Sequence, residues 1–392
     1  MSVIAAVIPG KKPVFTKGIL LLLSALCLLP ACIFAFRRPA YNWDMLAYMA
    51  IVLKTDHPDW DLNHIHEHTY QIARQKIPAT EYGYLIQSTY REKMVKDPSA
   101  FYEQLPFYAI KPLYLGMIYL LYKAGITLPV ATLLPSILAY FCIGLLLFHW
   151  LGRYMNPLLA LISSLLIMYA TFMVFVARIS TPDAVSSLWL LAAFYFILEK
   201  PSIAFMFLFF LLSVFTRLDN VVTCLIILSF LFFTRKWQKE LVLWQYALMV
   251  ITLVVCYFVI TSITVAPLGW NLLYYPAFVH YLDLSHRHLA LFSFSEYAAL
   301  LYSQAITAVV YHHFTLFVFL TLLVVTPLFL KNQGQRFDQW FSVLLIFIIL
   351  TRFVLYPDLA DRFYISFYLC ILILFAKKCI KMNISSNSIY HS

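Results

Sequence analysis

Polar and apolar positions do not alternate along this chain. Apolar residues collect in long runs, and charges fall between them. The first run covers about 18–36, and others cover about 128–150, 156–177, 183–198, 201–216, 219–233, 242–262, 312–330, 340–355 and 363–377. A bilayer core takes roughly 20 helical residues to cross, so each run predicts a membrane-spanning helix. Ten crossings in 392 residues leave space for outer loops at 37–106 and 263–311, but for no large soluble domain. The expected fold is all-α, a single polytopic transmembrane domain of about ten spans with interfacial helices added.

One segment disturbs that count. Residues 107–122, FYAIKPLYLGMIYLLY, are apolar but few, hold Lys111 and Pro112, and carry a tyrosine every few positions. Counted as a span, this segment would invert every later loop. Its tyrosines suit the bilayer interface, so it is expected there as an interfacial or re-entrant helix.

Charge orients the helices. Lys11, Lys12 and Lys17 precede the first run, and Arg153, Lys200, Arg235, Lys236, Lys239, Lys331, Arg336, Lys377, Lys378 and Lys381 fall in every second connection after it. Basic residues favour the cytoplasmic side, so both termini are expected there. The first run is too long for a signal-peptide core and lacks a small-residue cleavage site, which predicts an uncleaved span. Composition agrees, with 63% hydrophobic and 12% charged residues, proportions foreign to soluble domains. The net charge of +10 gathers mostly at the ends of runs, a pattern of membrane orientation and not of nucleic-acid binding. Seven cysteines, odd in number and without a CxxC pair, argue against a disulfide framework or a zinc site.

The remaining connections share the outer side and hold acidic and basic residues together. They contain Asp44 in YNWDMLAY, Arg178 with Asp183, Arg217 with Asp219, and Arg352 with Asp358, Asp361 and Arg362. Charges at membrane depth are costly and commonly functional. Three turns that each pair Arg with Asp read as walls of one site at the outer leaflet. Guanidinium forks and a lysine bind phosphate oxygens, so an anionic lipid head such as a polyprenyl phosphate would suit them while its chain stays in the bilayer. A carboxylate just beyond the first span would serve as general base toward an acceptor.

Four stretches carry a family resemblance: WDMLAY, IKPLYLGMIYLLYKAGI, ARISTPDAVSSLWLLAAFYFI and ADRFYISFY. In that order they resemble motifs of the C-type (GT-C) integral-membrane glycosyltransferases, in the branch of protein O-mannosyltransferases and aminoarabinose transferases. The resemblance implies Asp44 as the catalytic carboxylate, with Tyr48 one helical turn later. It places Lys111 on the donor phosphate and carries over to Arg178, Asp183, Asp361 and Arg362. Together with the charge pattern this puts Lys111, Arg178 and Arg362 on the phosphate, with Asp183, Asp361 and, from the charge pattern alone, Arg217 and Asp219 in support. It departs in three places: Asp44 is followed by Met45 where the family has a second acid, one proline is missing after Lys111, and none follows the Asp361–Arg362 segment. The implied activity is inverting transfer of a sugar from a polyprenyl-phosphate donor to a glycan, lipid or protein of the cell envelope. It would take place at the outer face of a bacterial plasma membrane, with no cofactor required.

Two alternatives stay open. In DHPDWDLNHIHEHTY, His64 and His68 are four apart and would share one helix face, so with Asp61 they would suit a divalent metal. The same residues also fit an ordinary polar loop, as do His280, His286 and His288 beside Asp283 and Arg287. Tyr274, Tyr275 and Tyr281 are candidates for sugar contact. The rival function is a transporter or flippase for an anionic lipid or solute, although transporters place ionisable groups near mid-bilayer and often show internal repeats. No GxxxxGK[ST], GxSxG or HExxH motif supports other chemistry. The polar tail 382–392 is expected to be disordered.

Overall fold

The computed structural model describes residues 14–234, 241–264, 293–325 and 336–389. Among them the chain is entirely helical, with no strand. A long helix α1 (Val14–Arg37) leads into a set of short ones: α2 (Asp44–Asp56), α3 (Leu62–Lys76), α4 (Ala79–Ile86), α5 (Thr89–Lys96), α6 (Pro98–Ala109) and α7 (Pro112–Lys123). Longer apolar helices follow: α8 (Leu128–Leu151), α9 (Pro157–Met168), α10 (Thr171–Arg178), α11 (Asp183–Leu198), α12 (Ile203–Thr216), α13 (Asn220–Phe233) and α14 (Leu243–Ile263). After these come α15 (Phe294–Tyr311), α16 (Phe314–Val325), α17 (Arg336–Leu355) and α18 (Ile365–Ile389).

Four of these helices, α1, α8, α14 and α17, are long and apolar enough to cross a membrane. Three bent pairs raise the number to seven if each counts as one span: α6 with α7, α9 with α10, and α15 with α16. Helices α11, α12 and α13 are apolar but shorter. Large apolar side chains stand exposed along the outward faces, for example Leu22, Leu166, Trp244, Ile263 and Phe319. In water such a surface would aggregate, whereas lipid covers it at no cost, as in a membrane protein.

The bends have local causes. Asp97 caps α6, accepting from the amides of Ser99 and Ala100, and Pro98 fits the first turn. Pro112 then forbids its predecessor the helical conformation, so Lys111 takes φ −124°, ψ 59°. The chain turns there, α7 leaves at 109° to α6, and Lys111 is set at the corner.

The expected run 156–177 is not one straight helix. It breaks at Tyr169 and Ala170 and bends by 64°. No proline or glycine announces this. Ala170 is extended (φ −60°, ψ 143°), and the Tyr169 hydroxyl donates to the Cys27 carbonyl of α1 at 2.6 Å. The tail also departs from expectation, because α18 continues to Ile389. Nothing between Lys377 and Ile389 is a proline or glycine that would stop it. The C-terminal part of the expected 312–330 run, beyond Val325, lies outside the described residues.

Helix α11 sits at the centre, packed on α8, α12 and α18, while α1 lies along α8 and α9. Its 16 residues run from Asp183 to Leu198, about 24 Å at 1.5 Å per residue. Asp183 therefore marks one end of the bundle, and Glu199, just past the last turn, marks the other.

Candidate functional site

The charged end marked by Asp183 is built from helix termini. Asp44 opens α2, where a carboxylate faces the positive end of the helix dipole. Asp183 opens α11 after Pro182, and Thr181 donates to its Oδ2 at 2.8 Å. Arg217 is the extended residue that ends α12 (φ −145°, ψ 112°), and Asp219 stands at the head of α13. Arg352 lies in the last turn of α17, and Arg362 in a short 3-10 turn, Asp361–Phe363, ahead of α18.

These residues surround a cavity of about 790 Å³. Among the described residues its charged lining consists of Asp44, Lys111, Asp183, Arg217, Asp219, Arg352 and Arg362. One wall is aromatic, with Tyr48, Tyr90, Phe107, Tyr108, Tyr356 and Tyr364, and another is aliphatic, with Val221, Val222, Val254 and Leu355. The volume is that of a small-molecule site, and its division into an ionic floor and apolar walls suits an amphiphile.

Two kinds of charge line it. One kind is already paired. Arg217 donates to both oxygens of Asp219 at 3.0 and 2.9 Å and also binds Asp183. Arg352 binds Asp219 and donates to Asn220 Oδ1 at 3.1 Å. Asp183 is only 3% exposed and Arg352 6%. Burial alone would raise the Asp219 carboxyl, but the Arg217 and Arg352 guanidiniums outweigh it and hold the group well below the usual range. Burial would lower Arg217 as well, and Asp219 and Asp183 overcome that to hold it charged. The chain Arg352–Asp219–Arg217–Asp183 fastens α17, α12, α13 and α11 to one another.

The other kind has little compensation. Asp44 receives one side-chain hydrogen bond, from the Tyr108 hydroxyl to its Oδ1 at 3.3 Å. Lys111 Nζ donates to the Tyr48 hydroxyl at 2.9 Å and lies over the rings of Tyr48 and Tyr108 at 5.1 and 4.7 Å. Burial is the largest influence on this ammonium and pushes it down to about 8, with Asp44 acting in the opposite direction. Arg362 reaches Asp183 only at 3.8 Å and lies against Phe363. A cation bonded only to a neutral hydroxyl can still accept an anion.

Most residues expected at the site meet here: Asp44, Tyr48, Lys111, Asp183, Arg217, Asp219 and Arg362 all line the cavity. Arg178 does not. Its Nε donates to the Arg38 carbonyl at 2.6 Å and its guanidinium lies over Phe34, so it ties α10 to the end of α1. Asp361 is also outside the lining. It accepts from the His313 amide at 3.0 Å and pairs with His313 Nδ1 at 2.7 Å. Trp43 packs edge-on against Tyr90, Phe101 and Tyr108, so the group that holds Asp44 is Tyr108.

The expected metal site at Asp61, His64 and His68 is not formed. Among the described residues no group of three or more His, Cys, Asp or Glu side chains is arranged to hold a metal. The Asp61 side chain is used to cap α3, accepting from the His64 amide at 2.7 Å. Trp60 lies against His57, His64 and His68 at 4.0, 4.2 and 5.1 Å between ring centroids. Its indole packs against all three imidazoles. The group His280, Asp283, His286, Arg287 and His288, with Tyr274, Tyr275 and Tyr281, lies outside the described residues.

Gln104 and Tyr108 are among the lining residues that escaped the sequence reading of the site. Arg352 belongs to one of the expected wall turns, and the fold supplies its partner Asp219 from 133 residues away. Tyr108 stands three residues before Lys111, and Gln104 is an uncharged polar residue in QLPFYAIKP.

Comparison with known proteins finds no matching family model, no matching curated protein and no matching solved structure.

Proposed function

We propose that this protein is a membrane glycosyltransferase of the C-type architecture that moves a sugar from a polyprenyl-phosphate donor to a hydroxyl of a cell-envelope glycan, lipid or protein. The single observation that carries this reading is the cavity in which, among the described residues, Asp44 and Lys111 stand without ionic partners, beside Arg362 and an aliphatic wall. An anionic head would lie against Lys111 and Arg362, and its isoprenoid chain along Val221, Val222 and Val254.

The chemistry follows from those positions. An acceptor hydroxyl oxygen attacks the anomeric carbon from the side opposite the phosphate and inverts it. The carbon–oxygen bond to phosphate breaks, and its electron pair leaves with the phosphate, whose growing charge is met by Lys111 and Arg362. Asp44 takes the proton from the hydroxyl as general base. Tyr48 positions Lys111, and the Arg217–Asp219–Asp183 chain holds the helix ends around them.

Ten crossings support an outer location. Helices α1, α8, α9 with α10, α11, α12, α13, α14, α16, α17 and α18 would pass alternately between the two ends. The described basic residues Arg153, Lys200 and Lys377 then fall at the end opposite the cavity, which would be the cytoplasmic end of a plasma membrane. The corner α6–α7, bent by 109°, would lie at the outer interface. The direct test is to incubate the purified protein with polyprenyl-phosphate hexoses and pentoses and to follow sugar-free polyprenyl phosphate by mass spectrometry. Its release supports the transferase. Binding without release from any donor favours a transporter of anionic lipids.

A further inference from the structure

One polar group at the cavity has no part in the mechanism above. Gln104, on α6, lines the cavity and is 4% exposed, and no hydrogen bond joins its side chain to any of the described residues. Its Nε2 in particular is buried without a partner. Leaving a buried amide unpaired is costly, and such groups in folded proteins are normally satisfied. The other buried polar residues on the cavity wall are engaged: Asp183 by Thr181 and Arg217, and Arg352 by Asn220 and Asp219. Gln104 therefore stands apart from them.

Its position gives the exception a meaning. Gln104 and Tyr108 are one helical turn apart on the same face of α6, and the Tyr108 hydroxyl bonds the Asp44 carboxylate at 3.3 Å. Lys111 borders this face, its Nζ over the Tyr48 and Tyr108 rings, but Gln104, Tyr90 and Phe107 themselves carry no charge, and the guanidiniums come from Arg217 at the end of α12, Arg352 on α17 and the turn at Arg362. A phosphate offers only acceptors and is best met on the cationic side. A carboxamide has both a donor and an acceptor, and the ligand group that answers both is a hydroxyl. Aromatic rings beside it provide the flat apolar surface on which sugar rings rest.

We infer that Gln104 is a specificity-determining residue that hydrogen-bonds a hydroxyl of the reacting carbohydrate beside Asp44, so that the cavity reads phosphate on one wall and sugar on the other. This inference rests on the proposed transferase function. The hydroxyl belongs either to the donor's sugar or to the acceptor, and the two sources separate experimentally.

The test compares wild type with Gln104→Met, which keeps the side chain's length and removes its hydrogen bonds, and with Gln104→Glu. The probes are polyprenyl phosphate and the polyprenyl-phosphate hexoses and pentoses that the wild type turns over. A loss of roughly tenfold in affinity for the sugar-bearing lipid, with sugar-free polyprenyl phosphate bound as before, assigns Gln104 to the donor's sugar. Unchanged donor affinity with a roughly tenfold higher acceptor KM assigns it to the acceptor. Retained polyprenyl phosphate binding shows in either case that the variant is folded. Equal losses for both lipids in both variants, or no loss in lipid affinity or acceptor KM, would overturn the inference while leaving the transferase reading in place. A wild type that turns over none of the sugar-bearing lipids would remove that reading, and this inference with it.

Discussion

The two ends of the helical bundle use the same kinds of residue to opposite effect. At the end marked by Glu199 the charges are closed on themselves. Glu199, 8% exposed by its side chain, binds Arg153 at 3.3 Å and Lys377 at 3.4 Å, and Lys377 reaches Asp338 at 2.8 Å. The Tyr154 hydroxyl donates to the same carboxylate, and α8, α11, α17 and α18 are tied together there. At the Asp183 end, one part of the network is equally closed, through Arg217, Asp219 and Arg352. Asp44 and Lys111, however, meet tyrosines and no opposite charge among the described residues. Charge that serves only the fold finds counter-charge within the chain. Charge left facing a cavity is held for something that arrives later.

Substitutions at four positions press on that contrast. The largest effect is expected from Asp44→Asn. Loss of the proton acceptor should lower turnover of a polyprenyl-phosphate sugar by roughly 1,000-fold, with lipid affinity and melting temperature close to wild type. Comparable turnover in the variant, measured as released polyprenyl phosphate, would move the base elsewhere. At the opposite end, Glu199→Gln should do the reverse. It removes the carboxylate from Arg153 and leaves Lys377 with Asp338 alone, costs about 1 kcal/mol of stability, and leaves kcat near wild type. Thermal melting in detergent together with turnover checks both halves.

Lys111→Met should weaken the donor by roughly 10- to 100-fold, the value of a charged hydrogen bond to phosphate. The same ammonium gives a pH signature. Its value of about 8 means that it is protonated and anion-binding below that pH and loses charge above it. Donor affinity should therefore fall between pH 7 and 9 in wild type, and Lys111→Arg should flatten the decline. A titration equally steep in both proteins would assign the dependence to another group. The smallest effect belongs to Arg178→Gln. Because its guanidinium is spent on the Arg38 carbonyl, donor KM should change by less than about threefold. A larger change would return Arg178 to the phosphate.

The helical class and most helix limits were legible because lipid imposes a simple rule on sequence. Runs expected at 183–198 and 128–150 are found as Asp183–Leu198 and Leu128–Leu151. Much of the site was legible for the same reason, since a charged residue beside an apolar run has few places to go. What the sequence withheld depends on distant partners. Arg178 looks like Arg217 along the chain, and only the fold brings a backbone carbonyl to one and two carboxylates to the other. His64 and His68 have ligand spacing, but their rings pack against Trp60 and Asp61 is spent on capping the helix. The break at Tyr169 depends on a carbonyl 142 residues away, and Gln104 gains meaning only from what fails to touch it.

Helix α14 contributes Val254, Tyr257 and Phe258 to the cavity wall, yet it packs chiefly on α13 and leaves most of its own surface uncovered. Under the proposed function, a thinly covered wall of this kind turns the substrate's search into a two-dimensional one. The donor would arrive by diffusing within the leaflet, and its effective supply would be its surface density among other lipids. Rates would then scale with the mole fraction of donor in the membrane or micelle. Diluting the same amount of donor with inert lipid would slow the reaction even when the bulk concentration is held fixed.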